Sequence, residues 1–365
     1  MSKVTTAVLK LNKALPLGLS LLFSNAVCAI TVEEIPANED AATRQIVQMI
    51  EEAVRSDASK NGLALRDAHA KSHGCVKAEF KVLDNLPEKL RVGIFSEPRT
   101  FPAWIRYSNG SGKSQNDADR DARGMAIKLM GVERSESGTQ DYLMINHPVF
   151  FVRNAADYVE FQKAVTRDLP ILFFFPGFNP LNLRIHELAI ANTIRNTKLV
   201  NPLHSQYWST TPYLFGDNTA VKFSARPCNS DLTGNEKSSS PNFLRENMQK
   251  QLAKGEACFD FMVQLRTHPS EMPIEDPTIA WNEEIAPFTR VALITIPKQQ
   301  FIAPEQVAYC ENLSFTPWHS TPEHKPLGGI NRVRKTVYDT VSRVRHEING
   351  DQHLEATPVD PIFKQ

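Results

Sequence analysis

The sequence predicts an α+β fold in which an antiparallel sheet or barrel is flanked by helices. Segments with strand-like patterns form an early and a late run along the chain, and a mostly helical and irregular stretch at 157–200 separates them. The predicted strands cover residues 75–82, 101–108, 125–130, 143–152, 220–225, 259–267 and 289–297. Twenty phenylalanines and 24 prolines also favour a β-rich body with long connections over a helical bundle.

The composition is that of an ordinary globular protein. The chain has 365 residues, of which 41% are hydrophobic and 22% charged, and its formal net charge is zero. This length suits one large domain, or one domain with an additional arm. Without a net basic charge, the chain has no bulk attraction to nucleic acid or to an anionic membrane.

Residues 1–29 have the pattern of a secretory signal peptide. Three lysines among the first 13 residues precede the apolar run 14–23, and Val27-Cys28-Ala29 offers small side chains for cleavage before Ile30. The apolar run is too short for a stable membrane span, although an uncleaved anchor remains the alternative. We therefore expect an exported protein that is periplasmic or secreted.

Four cysteines remain if Cys28 leaves with the signal peptide, namely Cys75, Cys228, Cys258 and Cys310. An even number in an oxidising compartment permits two disulfides, and three pairings are possible. Free buried cysteines are the alternative. None of the spacings suits a zinc or iron–sulfur site.

Two further segments lie outside the predicted strands. Asn38 and the two acidic residues after it are predicted to cap a helix at about 41–55, which would form an arm packed on the main body. The polar stretch 229–242 is predicted to be an exposed loop.

A predicted helix near the end of the chain contains a pair of residues whose chemistry suits a functional site. Apolar residues recur there at helical spacing, at Ile330, Val333, Val337, Val341 and Val344. Arg334 and Tyr338 are four residues apart, so their side chains meet on this helix. A guanidinium beside a phenol favours the phenolate, and tyrosine is one of the residues that hold haem iron. Alone, such a pair is ordinary on a helix surface.

Motifs along the chain resemble, in order, the sequence motifs of the haem catalases. The family's patterns are R-V-V-H-A-[KR], R-F-S, R-D-x-R-G, N-T-P-V-F-F-x-R, E-Q-x-A-F and R-x-x-x-Y. The corresponding segments here are 66–71 (RDAHAK), 106–108 (RYS), 120–124 (RDARG), 146–153 (NHPVFFVR), 305–309 (EQVAY) and 334–338 (RKTVY). Several motifs in the right order carry far more weight than one. The resemblance extends over about residues 66–347 and is to the short, minimal branch of the superfamily.

This resemblance implies a catalase-like closed antiparallel β-barrel that binds haem b. The domains would then be a signal peptide (1–29), a helical arm (30–65), the haem-binding domain (66–350) and a tail (351–365). By resemblance, Tyr338 is the proximal iron ligand and Arg334 keeps it ionised. His69 is the distal acid/base, and His73 is an alternative if the alignment shifts.

The resemblance also assigns residues around the cofactor. Arg66, Arg106 and Arg345 match the arginines that pair with the haem propionates. Ser108 matches the serine that orients the distal histidine, and Asp121 matches an acidic residue along the substrate channel.

The chain departs from the family pattern at the distal asparagine. Where catalases have N-N-T-P, this chain has Ile145-Asn146-His147-Pro148. Two interpretations are open: a strand bulge lets Asn146 act in catalysis, or the second hydrogen-bond donor is missing. Gly110 and Ala68 replace larger family residues, which would widen the distal side.

The function implied is haem-dependent breakdown of hydrogen peroxide or organic hydroperoxides, with His69, Asn146 and Ser108 as catalytic residues. One alternative is rearrangement of a fatty-acid hydroperoxide, as in allene-oxide-forming relatives. Another is a non-enzymatic haem-binding protein of the periplasm. The expected partner is a small peroxide, including organic or lipid hydroperoxides, and a homo-oligomer is left open.

Overall fold

The computed structural model describes residues 33–229 and 239–364. The predicted signal peptide, and most of the predicted loop at 229–242, lie outside these residues.

Nine strands are present in the described part of the chain. They are β1 (Ser72–Val82), β2 (Thr100–Asn109), β3 (Arg123–Met130), β4 (Thr139–Ile145), β5 (Tyr207–Trp208), β6 (Tyr213–Phe215), β7 (Thr219–Pro227), β8 (Ala257–Leu265) and β9 (Thr289–Ile296). Their order in the sheet is β5-β4-β3-β2-β1-β9-β8-β7-β6, and all pairs are antiparallel. Because β5 pairs with both β4 and β7, eight strands close into a barrel and β6 extends it at the edge. This confirms the predicted fold class.

The closure of the barrel depends on a very short strand. β5 contacts β4 through a single register pair, Ile145 with Trp208, and contacts β7 through two pairs. Side chains alternate between the two faces of each strand. In β2, Ile105 and Tyr107 belong to the aromatic-rich barrel core, so Arg106 and Ser108 lie on the outer face.

Eight α-helices surround the barrel in the described residues. They are α1 (Glu39–Asn61), α2 (Ala155–Thr166), α3 (Ile171–Phe174), α4 (Ile185–Asn196), α5 (Phe243–Leu252), α6 (Pro304–Asn312), α7 (Gly329–Asn349) and α8 (Pro361–Lys364). None of the described helices combines the length and the apolar character that a membrane crossing needs.

Helix α7 confirms the helix predicted from the apolar spacing. Its valine stripe is buried in one cluster with residues of α1, including Ile46 and Ile50. At the start of α7, Arg332 bonds the carboxylates of Glu33, Glu39 and Glu275. The predicted arm therefore packs on the main body through both apolar and ionic contacts.

Three local predictions change. The strand predicted at 143–152 ends at Ile145, because the next residues leave the sheet and the Phe150 amide bonds the carbonyl of Pro277 instead. Strands β5 and β6 were missed because two or three residues are too few to show an alternating pattern. Asn38 precedes α1, but its side chain makes no capping bond.

Two disulfides are present among the described residues, and they settle the pairing that the sequence left open. Cys75 is bonded to Cys310, and Cys228 to Cys258. The first connects β1 to the last turn of α6, and the second connects the end of β7 to β8.

Candidate functional site

A cavity of about 1230 Å³ is lined by the outer face of β2–β4 on one side and by α7 on the other. Ligand pockets usually measure roughly 300–1,000 Å³, so this one suits a large ligand. Nearly all the predicted site residues line it: Arg66, His69, Arg106, Ser108, Arg334, Tyr338 and Arg345. A smaller hollow of about 550 Å³ along α1 contains none of them.

His69 lies in the loop before β1, in a backbone conformation that L-residues seldom adopt (φ 60°). Two hydrogen bonds fix this conformation: the His69 amide donates to the Gly110 carbonyl, and the Ala70 amide to the Ser111 carbonyl, both at 3.0 Å. Such strain persists only where the surroundings over-determine it. The loop therefore presents His69 to the cavity in one fixed orientation.

The imidazole of His69 is fixed by its contacts with β2 and β3. Its Nδ1 lies 3.0 Å from the hydroxyl of Ser108. A Cβ atom at Gly124 would come within 2.5 Å of that nitrogen, so glycine is needed beneath the ring. Burial, with smaller contributions from Arg106 and Arg334, lowers the pKa of His69 to about 4. The ring is therefore neutral near pH 7 and can accept a proton from a ligand.

Tyr338 faces the cavity from α7 with Arg334 against its phenol oxygen. Arg334 donates from Nη2 to the Tyr338 hydroxyl at 3.1 Å, and from Nη1 to Oδ1 of Asn331 at 3.1 Å. Burial alone would lower the pKa of Arg334, but the phenols of Tyr338 and Tyr213 outweigh it and raise that pKa. A permanent cation thus lies at the phenol oxygen, as the i,i+4 spacing predicted.

Three arginines converge at one end of the cavity around Glu311. The Glu311 carboxylate accepts hydrogen bonds from Arg66 and Arg106. The Glu311 carbonyl accepts from Arg66 and Arg345. Burial would raise the pKa of Glu311, but Arg106 and Arg66 outweigh it and lower that pKa to about 2.

This arginine cluster has spare positive charge. Three guanidinium groups face one carboxylate, and burial followed by repulsion from Arg66 lowers the pKa of Arg106 to about 10 and that of Arg345 to about 9. Among the described atoms, the buried Nε groups of Arg106 and Arg345 have no hydrogen-bond partner. Buried donors without partners are costly, so the cluster is suited to bind further carboxylates.

Ile145, not Asn146, lines the cavity. Ile145 pairs with Gly124 beneath the His69 ring, so strand alternation turns Ile145 towards the cavity. Asn146 instead accepts a hydrogen bond from the Arg123 amide at 2.8 Å and is absent from the cavity lining. This placement does not agree with the predicted catalytic role of Asn146, and it favours the interpretation that the second distal donor is missing.

His73, the alternative to His69, lies elsewhere. Its Nε2 bonds Oδ1 of Asn109 at 2.9 Å, it is buried, and it is not among the residues that line the cavity. The geometry therefore favours His69 as the cavity histidine.

The lining of the cavity also includes small and apolar residues. Gly110 and Ala68, which the sequence predicted for the distal side, line it together with Tyr158, Ile171 and Phe174. The same region of the chain contains exposed large apolar side chains, namely Leu169, Ile171, Phe178, Leu181 and Ile185. The apolar part of the lining therefore suits an apolar molecule.

Sequence reasoning missed four residues of the site. Gly124, Asn331 and Glu311 act through contacts with His69, Arg334 and the arginines, as described above. The fourth, Asp67, lines the cavity, and burial raises the pKa of its carboxyl to about 6. Its position between Arg66 and His69, where the family pattern has valine, was the available signal.

Comparison with known proteins gives a consistent picture. The family model for catalase matches residues 39–170. The chain is 24% identical to a peroxisomal catalase of Candida tropicalis over 289 residues, which is 72% of this chain and 56% of that protein. It is 22% identical to a peroxisomal catalase of Toxoplasma gondii, over 79% of this chain and 60% of that protein. The chain thus spans a little over half the length of these relatives.

Solved structures show the same fold. A fungal catalase superposes with a TM-score of 0.63 at 20% identity, covering 85% of this chain and 62% of that one. Catalase A from Saccharomyces cerevisiae gives a TM-score of 0.62 at 20% identity, covering 84% of this chain and 68% of that one.

Proposed function

We propose that this chain is a member of the catalase superfamily and that it decomposes hydrogen peroxide or organic hydroperoxides with a bound haem. The observation that carries the proposal is a single cavity that has the neutral imidazole of His69 on one wall and the Arg334–Tyr338 pair on the other.

The residues present fit haem b. Tyr338 would ligate the iron, and Arg66, Arg106 and Arg345 would bind the two propionates. Two observations support this: the buried Nε groups of Arg106 and Arg345 lack partners, and three guanidinium charges opposed by one glutamate leave two to be neutralised. When bound, the haem would supply two electrons to the first peroxide and regain them from a second peroxide or from an organic donor.

His69 would move the proton. Its neutral ring accepts the proton of the peroxide oxygen that faces the cofactor and returns it to the other oxygen, which then leaves as water or as an alcohol. In the tautomer that the reaction needs, Nδ1 is protonated and donates to the Ser108 hydroxyl, which fixes the ring orientation and leaves an unprotonated Nε2 for the substrate. Because the pKa of His69 is about 4, the ring stays neutral down to about pH 5, and we expect the reaction rate to stay high over that range.

Ile145 should weaken one half of the catalase cycle. Oxidation of a second peroxide needs that molecule to be positioned by hydrogen bonds, and an isoleucine donates none. We therefore infer that peroxide reduction is retained better than oxygen production, and that an organic hydrogen donor completes the cycle.

The test is to load purified protein with haem and measure three quantities: the spectrum, oxygen release from hydrogen peroxide and oxidation of a phenolic donor. We expect a ferric tyrosinate spectrum, weak oxygen release and clear donor oxidation. Fully loaded protein that neither releases oxygen nor oxidises a donor would refute the activity. It would favour the non-enzymatic haem-binding alternative.

A second candidate function is rearrangement of lipid hydroperoxides, which the apolar residues lining the cavity favour. Turnover of a fatty-acid hydroperoxide without consumption of a donor would support it. Exclusive use of hydrogen peroxide would exclude it.

We also propose that the protein works outside the cytoplasm. The predicted signal peptide and the two disulfides support this, since disulfides persist in oxidising compartments. Fractionation of producing cells tests it, and mature protein found only in the cytoplasm would contradict it.

A further inference from the structure

The carboxyl end of α6 supports the arginine cluster. The last carbonyl groups of a helix have no partners within it and are electronegative, so they attract cations. Here Arg66 donates to the carbonyls of Glu311 and Leu313 at 3.0 and 2.9 Å, and Arg345 donates to that of Glu311. The Asn312 carbonyl lies 2.9 Å from Nε2 of His346. The positions of two of the three arginines thus depend on this helix end.

The third arginine reaches the same helix end from the barrel. Arg106, on β2, donates from Nη2 to the Glu311 carboxylate at 3.3 Å and from Nη1 to the His69 carbonyl at 2.9 Å. Glu311 therefore connects the arginines at the helix end to the strand that also carries Ser108.

A disulfide joins the carboxyl end of α6 to the barrel, close to Arg106. Cys310 precedes Glu311 in the last turn of α6, and its disulfide partner Cys75 is the register partner of Arg106 across β1 and β2. Register partners project on the same face of an antiparallel pair. The disulfide thus fixes the helix end directly beside the strand position from which Arg106 extends.

We propose that the Cys75–Cys310 disulfide is a positioning element of the cofactor site, which holds the three arginines in the arrangement that binds the cofactor's carboxylates. This inference rests on the proposed haem binding. Its physical basis is that a guanidinium must be pre-organised to bind a carboxylate with two hydrogen bonds.

Non-covalent contacts also hold α6 on the barrel. Gln306 donates to the Cys75 carbonyl at 2.8 Å, and the ring of Tyr309 packs against Trp104 at 5.6 Å. These contacts should keep the helix folded when the disulfide is removed. The last turn would then be held only by its hydrogen bonds and ion pairs, so Glu311 and the arginines bound to it would be less precisely positioned.

The second disulfide provides a matched control. Cys228 and Cys258 join β7 to β8, and neither residue lines the cavity or contacts an arginine of the cluster. Each variant loses one disulfide, although the two bonds join residues 235 and 30 positions apart in the sequence, and thermal unfolding records the resulting difference in stability. Only the Cys75–Cys310 bond ends beside Glu311.

The experiment compares the haem-loaded parent with two double variants, Cys75→Ala/Cys310→Ala and Cys228→Ala/Cys258→Ala. The rate of haem release to an excess of a haem-scavenging protein is measured for each, with thermal unfolding of the haem-free proteins alongside. We expect release to accelerate about tenfold in the first variant, at the lower end of what outer-shell partners contribute. We expect less than about a twofold change in the control.

The outcomes separate the two proposals. If the parent does not bind haem, the proposed function fails. If the parent binds haem and the first variant retains it equally well, or if both variants release it equally fast, the positioning role is overturned while haem binding stands.

Discussion

The two walls of the cavity are built in different ways. The helix wall consists of side chains from one element, α7, in which Tyr338 lies one turn after Arg334 and Arg345 lies two turns after Tyr338. The strand wall takes His69 from a loop, Ser108 from β2 and Gly124 from β3, and holds them together through tertiary contacts. A local element determines the first wall, whereas the second exists only when several distant segments fold together.

This difference separates two tasks. The helix wall carries the proposed iron ligand and one of the propionate arginines, so changes there should alter how firmly haem is held. The strand wall carries the histidine proposed to transfer the proton, so changes at His69, Ser108 or Gly124 should alter reactivity while haem stays bound.

The largest effect is expected for Tyr338→Phe, because it removes the phenol oxygen that Arg334 contacts at 3.1 Å. We expect haem affinity to fall by about 100-fold or more, with loss of the tyrosinate spectrum. Titration with haem followed by absorption measures both. Tyr309→Phe is the matched control, since Tyr309 does not line the cavity. Unchanged binding and colour in Tyr338→Phe would remove the basis of the proposed function.

For His69→Gln we expect peroxide consumption to fall by about 10²–10⁴-fold, the usual contribution of a positioned acid/base. Haem affinity should stay close to that of the parent, because His69 belongs to the strand wall. Stopped-flow kinetics and haem titration of the same preparation test both halves. Full activity in this variant would show that the proton is moved by another group.

Gly124→Ala tests how tightly the strand wall is packed. The added Cβ would lie 2.5 Å from Nδ1 of His69 and 2.8 Å from the Ser108 hydroxyl, so the ring must move. Overpacking of this kind costs about 1–3 kcal/mol of folding free energy. We expect a lower melting temperature and slower peroxide consumption. Gly255→Ala is the control, because its Cβ would meet no atom within 4 Å.

Ile145→Asn should increase one activity, oxygen release, and its effect should be smaller than those of the preceding variants. It would place an amide donor on the cavity wall beside Gly124, where the described lining has an aliphatic group. We expect the ratio of oxygen release to donor oxidation to rise several-fold. A fall in this ratio, with haem still bound, would contradict the role inferred for Ile145.

The smallest effect is expected for Asp67→Asn, and it depends on pH. Burial raises the pKa of Asp67 to about 6 in the folded protein, above the value of about 3.9 for an unfolded chain. The unfolded state therefore loses this proton first, and ionisation of Asp67 lowers stability as the pH rises from about 4 to about 6. The melting temperature of the variant relative to the parent should rise over that interval and then level off. A constant difference would contradict this.

The helix wall could be predicted from the sequence because its information is local. The spacing of Val333, Val337 and Val341 sets the buried face of α7, and this fixes where Arg334 and Tyr338 meet. The fold class could also be predicted, because most strands are long enough to show their pattern.

Residues of the strand wall could be predicted only where they belong to a motif shared with the catalases. Ser108 and His69 followed from the resemblance, but the need for glycine at 124 depends on how closely β3 approaches the His69 ring. Neither composition nor periodicity records such an approach. The choice between Ile145 and Asn146 stayed open for the same reason, since the end of β4 decides which of two adjacent side chains enters the cavity.

The short closing strand of the barrel has a practical consequence. β4 and β5 meet only through Ile145 and Trp208, and the Ile145 side chain also lines the cavity. Separation of β4 from β5 and binding of a ligand in the cavity therefore both involve Ile145. Backbone amides around the seam should exchange with deuterium quickly in haem-free protein and more slowly when the cavity is filled, which makes them a natural reporter of occupancy.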